Sequence, residues 1–238
     1  LSLTTELSQF RILENKKIMK HFETQYSVLE DSIQRYGRVE LGTMASFTWN
    51  NDPKRLLFVL SRYKFVASIL EGTESVLEIG CGDSFGSRIV AQSVDKLTVS
   101  DIDMKFIEEA KQASKDPFKY EVIYLNLFDK KPSKKYKAAY LLDVLEHINP
   151  SDEKTFLNNL KSCVVDGGKI IIGMPSLESQ VHASEASKEG HVNCQTKKGL
   201  VNNLENYFKN VIVFSMNDEL IHTGYGPMAH YIMAICDV

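Results

Sequence analysis

The chain has 238 residues, 43% of them hydrophobic and 25% charged, which is enough to bury one substantial core. No apolar stretch approaches the length of a membrane span, and Glu6, Arg11 and Glu14 fall where a signal peptide would need to be apolar. A formal net charge of -3 excludes the broad basic surface that nucleic-acid binding requires, and four scattered cysteines without a C-x-x-C pair exclude a disulfide framework and suit a reducing cytoplasm.

From Thr4 to Tyr36 apolar residues recur at helical spacing, first as Leu7, Phe10, Leu13 and Ile18, then as Phe22, Tyr26, Leu29 and Ile33. Gly37 to Asp52 shows no such period and reads as irregular. Pro53 suits the first turn of a helix that Glu71-Gly72 ends. From Ser75 onward, strands near 75–79, 96–100, 120–125, 138–142 and 169–174 alternate with helical patterns, one of them running from Met104 to Ser114 behind Asp103 as cap. Such alternation requires right-handed crossovers and a parallel sheet. After Met174-Pro175 comes a long loop, then a helix from Lys197 to Phe208 with Thr196 as N-cap, then strands over Val211 to Met216 and His230 to Cys236. The expected organisation is a helical extension over 1–72 packed on an α/β domain over 73–238. The one basic run, from Lys130 to Lys137, precedes the fourth strand. In a parallel sheet that is the edge opposite the ligand, so the run reads as a solvated loop.

The chemistry concentrates where the first strand stops, at Glu78-Ile79-Gly80-Cys81-Gly82-Asp83-Ser84-Phe85-Gly86. Glycine there lets backbone lie against a ligand and permits a sharp strand-to-helix turn. The next strand ends about twenty residues later at Asp101, a carboxylate placed to accept hydrogen bonds from ribose hydroxyls. Dinucleotide and phosphate loops follow G-x-G-x-x-G or G-x-x-x-x-G-K-[ST]. Gly80, Gly82 and Gly86 give G-x-G-x-x-x-G instead, flanked by Glu78 and Asp83 with no cation before Arg88. Those carboxylates would repel a pyrophosphate and suit a cation.

With these residues the chain resembles the class I S-adenosylmethionine-dependent methyltransferases, in their ubiquinone-type, small-molecule branch. The likeness covers roughly residues 74 to 175. Val76-Leu77-Glu78-Ile79-Gly80-Cys81-Gly82 matches the family's glycine loop, Leu142-Asp143-Val144-Leu145-Glu146-His147 its fourth-strand motif, and Asp166-Gly167-Gly168-Lys169-Ile170 the start of its fifth strand, with Asp166 in place of Pro. The resemblance implies a doubly wound, mostly parallel seven-stranded sheet of Rossmann-like type whose last two strands form an antiparallel pair. It also implies S-adenosyl-L-methionine as cofactor. Glu78, Gly80, Cys81 and Gly82 would hold its methionine end, Asp101 with Ile102 its ribose, and Asn126-Leu127 its adenine, Asn126 standing where the family usually has Asp. Asp143 would lie under the methyl-transfer site.

By the same geometry the loop from Ser176 to Gln195 overhangs the pocket and brings His182 and His191, while the connection after Met216 brings His222. Histidine is the usual base for a hydroxyl or amine nucleophile near neutral pH. His191 is the leading candidate, then His222, then His182, with His147 read as structural or at the rim. The N-terminal helices and the Met44 to Trp49 segment would complete the wall. His182, His191, Cys194, His222 and His230 fit no familiar ligand spacing, so no metal is expected. The expected activity is methylation of an oxygen or nitrogen of a small molecule, such as a sugar, lipid precursor or specialised metabolite. Set against it are a cofactor-binding regulatory protein without turnover and a protein methyltransferase. Neither nucleic acid nor membrane is an expected partner, and a homodimer would bury Phe47, Trp49 and the apolar N-terminal helix.

Overall fold

The computed structural model describes residues 24–129, 132 and 134–238. The chain divides into two compact units, residues 1–40 and 41–238. Within the first, a 3-10 turn over Thr24–Tyr26 leads into helix α1, Ser27–Tyr36, which stops at Gly37 with φ +77°. The periodicity expected at Leu7, Phe10, Leu13, Ile18 and Phe22 lies outside the described residues, as do Lys130, Lys131 and Ser133 of the basic run.

The second unit begins with helix α2, Thr43–Asn51, in a segment whose sequence reads as irregular. The helix buries only Ala45 and leaves Met44, Phe47 and Trp49 exposed, so no apolar stripe marks its period. Helix α3, Pro53–Ile69, opens on its proline as expected, and the chain turns away at Gly72 with φ +69°. The alternating part follows: β1 Val76–Ile79, α4 Ser87–Ala91, β2 Leu97–Asp101, α5 Met104–Ala113, β3 Glu121–Tyr124, β4 Tyr136–Leu142, α6 Pro150–Ser162 and β5 Val164–Pro175. Asp103 caps α5 by accepting from the Lys105 amide, and Thr196 caps α8, Lys197–Leu204, by accepting from the Gly199 amide. Between β5 and α8 lies α7, Glu185–Gly190. The chain closes with β6 Lys209–Asn217, β7 Leu220–His222 and β8 Tyr231–Asp237.

The strands form one sheet in the order β3-β2-β1-β4-β5-β8-β6-β7. Strands β1 to β5 pair in parallel, and β8 runs antiparallel to both β5 and β6. The sheet therefore has eight strands where seven were expected. The extra one, β7, is a three-residue hairpin partner of β6, reached through Asp218 at φ +50°, and is too short to leave an alternating pattern in the sequence.

Successive residues of each central strand face opposite sides, and both sides are apolar, as a sheet covered by helices on both faces requires. One layer packs Leu77, Ala139, Leu141 and Ile170 against Phe156, Leu157 and Leu160 of α6 and Leu200 and Leu204 of α8. The other packs Val76, Val99, Ala138 and Ile171 with Tyr63, Val66 and Leu70 of α3 and Val90 of α4. The order of the strands reverses between β1 and β4, and it is outside the carboxyl ends of those two strands that an open α/β sheet presents its ligand crevice.

Candidate active site

The chain leaves β1 through two glycines with left-handed backbone. Gly80 has φ +74°, and a Cβ there would come 2.4 Å from Val144 Cγ2; Gly82 has φ +52°, and a Cβ there would come 2.6 Å from Met44 Sδ. The first contact sets the loop against the segment leaving β4. The second brings the start of α2 down over it. That helix is held by carboxylates at its N-terminus: Asp83 accepts from the Ala45 amide at 2.7 Å, and Glu109 from both the amide and the hydroxyl of Thr43.

Asp101 ends β2 as expected, and its carboxylate ties the loop together. The Gly82 amide donates to one oxygen and the Asp103 amide to the other, both at 2.9 Å. Each oxygen keeps a second lone pair for a ribose hydroxyl. Glu78 is 1% exposed, its Oε2 has no hydrogen-bond partner, and burial pushes its carboxyl up to about 7. The hydroxyls of Ser87, Tyr140 and Tyr63 face it and hold the value down in part, and the negative Asp101 adds to the rise. The Ser87 and Tyr140 hydroxyls lie close enough to act on Glu78 but close no hydrogen bond of good geometry, so this buried group of oxygens is undersatisfied. Glu78, Asp83 and Asp101 thus surround the bend with carboxylates. Arg88, the first cation beyond it, turns instead to the Lys115 and Asp116 carbonyls. Such a site fits a sulfonium and an ammonium and rejects a pyrophosphate.

Asn126 follows β3, and its side chain closes a local turn, its Oδ1 accepting from the Phe128 amide and its Nδ2 donating to Asp129. Leu127 is buried and Ile102 is 65% exposed. Asp143, at φ +57°, follows β4 and accepts from Arg62 Nη1 at 2.6 Å. Arg62 is buried in α3, with its guanidinium 3.7 Å from the Tyr231 ring centre. Burial opposes its charge, but Asp143 and Tyr231 outweigh the penalty and raise its pKa. Sequence reading passed over this arginine, because nothing in α3 itself separates a buried Arg from a surface one.

The expected histidines are distributed unevenly. His191 stands beside His147, ring centres 5.2 Å apart, and its Nδ1 meets Gln180 Oε1 at 2.8 Å. His147 Nδ1 meets the Gly190 carbonyl at 2.9 Å. Burial, and then the neighbouring His147, lower the His191 pKa. His222 accepts from the Gly224 amide at Nδ1 and donates to Asn217 Oδ1 through Nε2, which leaves it no free lone pair. His182 is exposed at the end of the turn over Glu178–His182. The loop carrying His191 is anchored to α6 by Glu153, whose carboxylate accepts from Asn193, Gln195 and Asn203. Glu153 was also missed, since a single acid on a polar helix face looks solvated. Two surface depressions, near Lys161, Gly167 and Val238 and near Leu70 and Lys137, lie at the opposite edge of the sheet and touch none of these groups.

A family profile described as Methyltransferase domain matches residues 48–208. The chain belongs to that family. Among solved structures, the methyltransferase domain of bacterial-CtHen1-C superposes with a TM-score of 0.61 at 18% identity, over 76% of this chain and 98% of that one. The N-methyltransferase NodS from Bradyrhizobium japonicum WM9, in complex with S-adenosyl-L-homocysteine, gives 0.61 at 14% identity over 90% and 98%. DhpI in complex with SAH gives 0.60 at 17% over 81% and 90%. No curated protein matches the chain by sequence. The methyltransferase shares the fold of these enzymes, and the carboxylate-lined bend at Gly80–Gly82 fits the cationic methionine end of S-adenosyl-L-methionine. Among the described residues no helix is long and apolar enough to cross a membrane.

Proposed function

We propose that the methyltransferase acts on an oxygen or nitrogen of a small molecule, with the acceptor held between the Gly80–Gly82 bend and the histidines at the exit of β4. The observation that carries this reading is the contact of Gly80 with Val144, which sets the segment Asp143–His147, and His191 beside it, against the cofactor loop. When bound, the cofactor supplies an electrophilic methyl group on a positively charged sulfur that departs as a neutral thioether.

The chain's own residues then have three tasks. Glu78 and Asp101 fix the cofactor, the first by negative charge beneath the methionine end and the second by accepting from the ribose. Met44 at the start of α2 covers the loop and restricts water. His191, held by Gln180 at Nδ1, keeps its Nε2 lone pair free to activate the acceptor. A net charge of -3 and a crevice framed by β1, β4 and the loop over 176–195 favour a small acceptor over a nucleic acid.

The test is incubation of the purified enzyme with methyl-labelled cofactor and a metabolite extract. A small-molecule product heavier by the labelled methyl group is expected. Label found only on protein would refute the proposal.

A further inference from the structure

Glu146, His147 and His191 bring one carboxylate oxygen and two imidazole nitrogens within 4.8 Å of one another. Glu146 is 0% exposed, and neither of its carboxylate oxygens has a hydrogen-bond partner. A buried carboxyl with both oxygens unbonded is costly whether ionised or neutral; Arg62 acts on it only through space, its guanidinium being bonded to Asp143, so a further cation in direct contact would remove the cost. Both histidines have the arrangement that metal ligands require. Each engages a carbonyl-type oxygen at Nδ1, His147 that of Gly190 and His191 that of Gln180, which fixes Nδ1 as the protonated nitrogen. Each Nε2 is therefore a lone-pair donor, and neither makes a hydrogen bond among the described residues.

We propose that Glu146, His147 and His191 bind a divalent first-row transition-metal ion. Two imidazoles with one carboxylate favour ions from Mn2+ to Zn2+ over Mg2+ or Ca2+, and three protein ligands leave positions open for the acceptor. Ligand atoms at about 2.1 Å from a common ion stand roughly 3 Å apart, so binding would draw the three side chains, now within 4.8 Å, closer together. Asp143 stays outside this ligand set, because Arg62 holds its carboxylate at 2.6 Å. It supplies charge at one remove.

The inference deepens the proposed function by naming the acceptor atom: an open transition-metal site beside the methyl group takes a hydroxyl oxygen and lowers its pKa. The oxygen–methyl bond then forms as the carbon–sulfur bond breaks with its electron pair passing to sulfur, and the hydroxyl proton is released to water. In this arrangement His191 acts as a ligand, and the ion takes over the activation of the acceptor.

The test is titration of the tag-free, chelator-stripped full chain with CoCl2, followed by visible absorption and by metal analysis after dialysis. One equivalent of Co2+ with a d–d spectrum is expected. Affinity should fall at least a hundredfold in the His147→Ala/His191→Ala double variant and in Glu146→Gln, and about ten- to a hundredfold in Gln180→Leu, which removes only the oxygen that orients His191. Calorimetry with the cofactor, expected unchanged, verifies that each variant is folded. Should Glu146→Gln fail to fold, the double variant decides, since neither histidine is buried. Wild type binding Co2+ no more tightly than the double variant would overturn the proposal, and because the readout needs no acceptor, failure to find a methylated product leaves it untouched.

Discussion

Glu78→Gln separates the cost of the cofactor site from its use. The folded protein holds the Glu78 carboxyl at about 7 against an ordinary 4.5, because burial disfavours the charged form. Between those values the folded state binds a proton that the unfolded state has released. Stability is therefore complete below about pH 4.5 and is lost as pH rises through 7. At about 1.4 kcal/mol per pH unit, the shift corresponds to about 3 kcal/mol in the absence of cofactor. Glutamine has the same shape and does not titrate. The difference in unfolding free energy, variant minus wild type, should thus rise by about 3 kcal/mol from pH 4.5 to 8, measured by urea denaturation at each pH. In thermal scans that is roughly 6–12 °C for a chain of this size. Saturating cofactor should narrow the gap at pH 8, because its positive charge offsets the carboxylate in wild type alone. A difference that does not change with pH would refute the reasoning, since every other titrating group is common to the two proteins.

Three more outcomes are expected. His191→Ala should lower kcat by at least about a hundredfold with cofactor affinity unchanged, and the acid limb of kcat/KM in wild type should fall below the ordinary imidazole value of about 6.5, because lowering the pKa keeps the ring neutral to lower pH. Gly80→Ala should cost about 1–3 kcal/mol in denaturant unfolding and weaken cofactor binding in calorimetry, since the left-handed backbone and the approach to Val144 both resist a side chain. Glu153→Ala leaves three amide groups without their acceptor and should lower kcat more than it weakens cofactor binding, measured by steady-state kinetics beside calorimetry.

The parts of this molecule that were legible in the sequence are those set by local rules. The parallel sheet follows from the alternation of apolar strands and helices, and the loop at Gly80–Gly82 follows from a glycine pair bracketed by acids. Asp103 and Thr196 cap their helices because each lies one residue before a helical pattern. The parts that were not legible depend on distant pairings. Arg62 and Asp143 are 81 positions apart, and only the fold reveals that α3 lies across the exit of β4. His147 looked peripheral until His191 arrived beside it from 44 residues downstream. Helix α2 failed to show itself because its apolar residues point away from the core, and β7 because three residues carry no period.

Glu153 has a consequence for how this enzyme tolerates change. One carboxylate on a core helix gathers the amides at positions 193, 195 and 203, so the chain leaving His191 is pinned from two residues downstream. The stretch from 183 to 186, which is mostly exposed and bonds to neither imidazole, can vary in sequence without loosening them, whereas the Ser187 and Gly190 carbonyls hold the His191 amide and the His147 ring. Accuracy at the reacting end is inherited from α6, and the overhanging loop is left as slack.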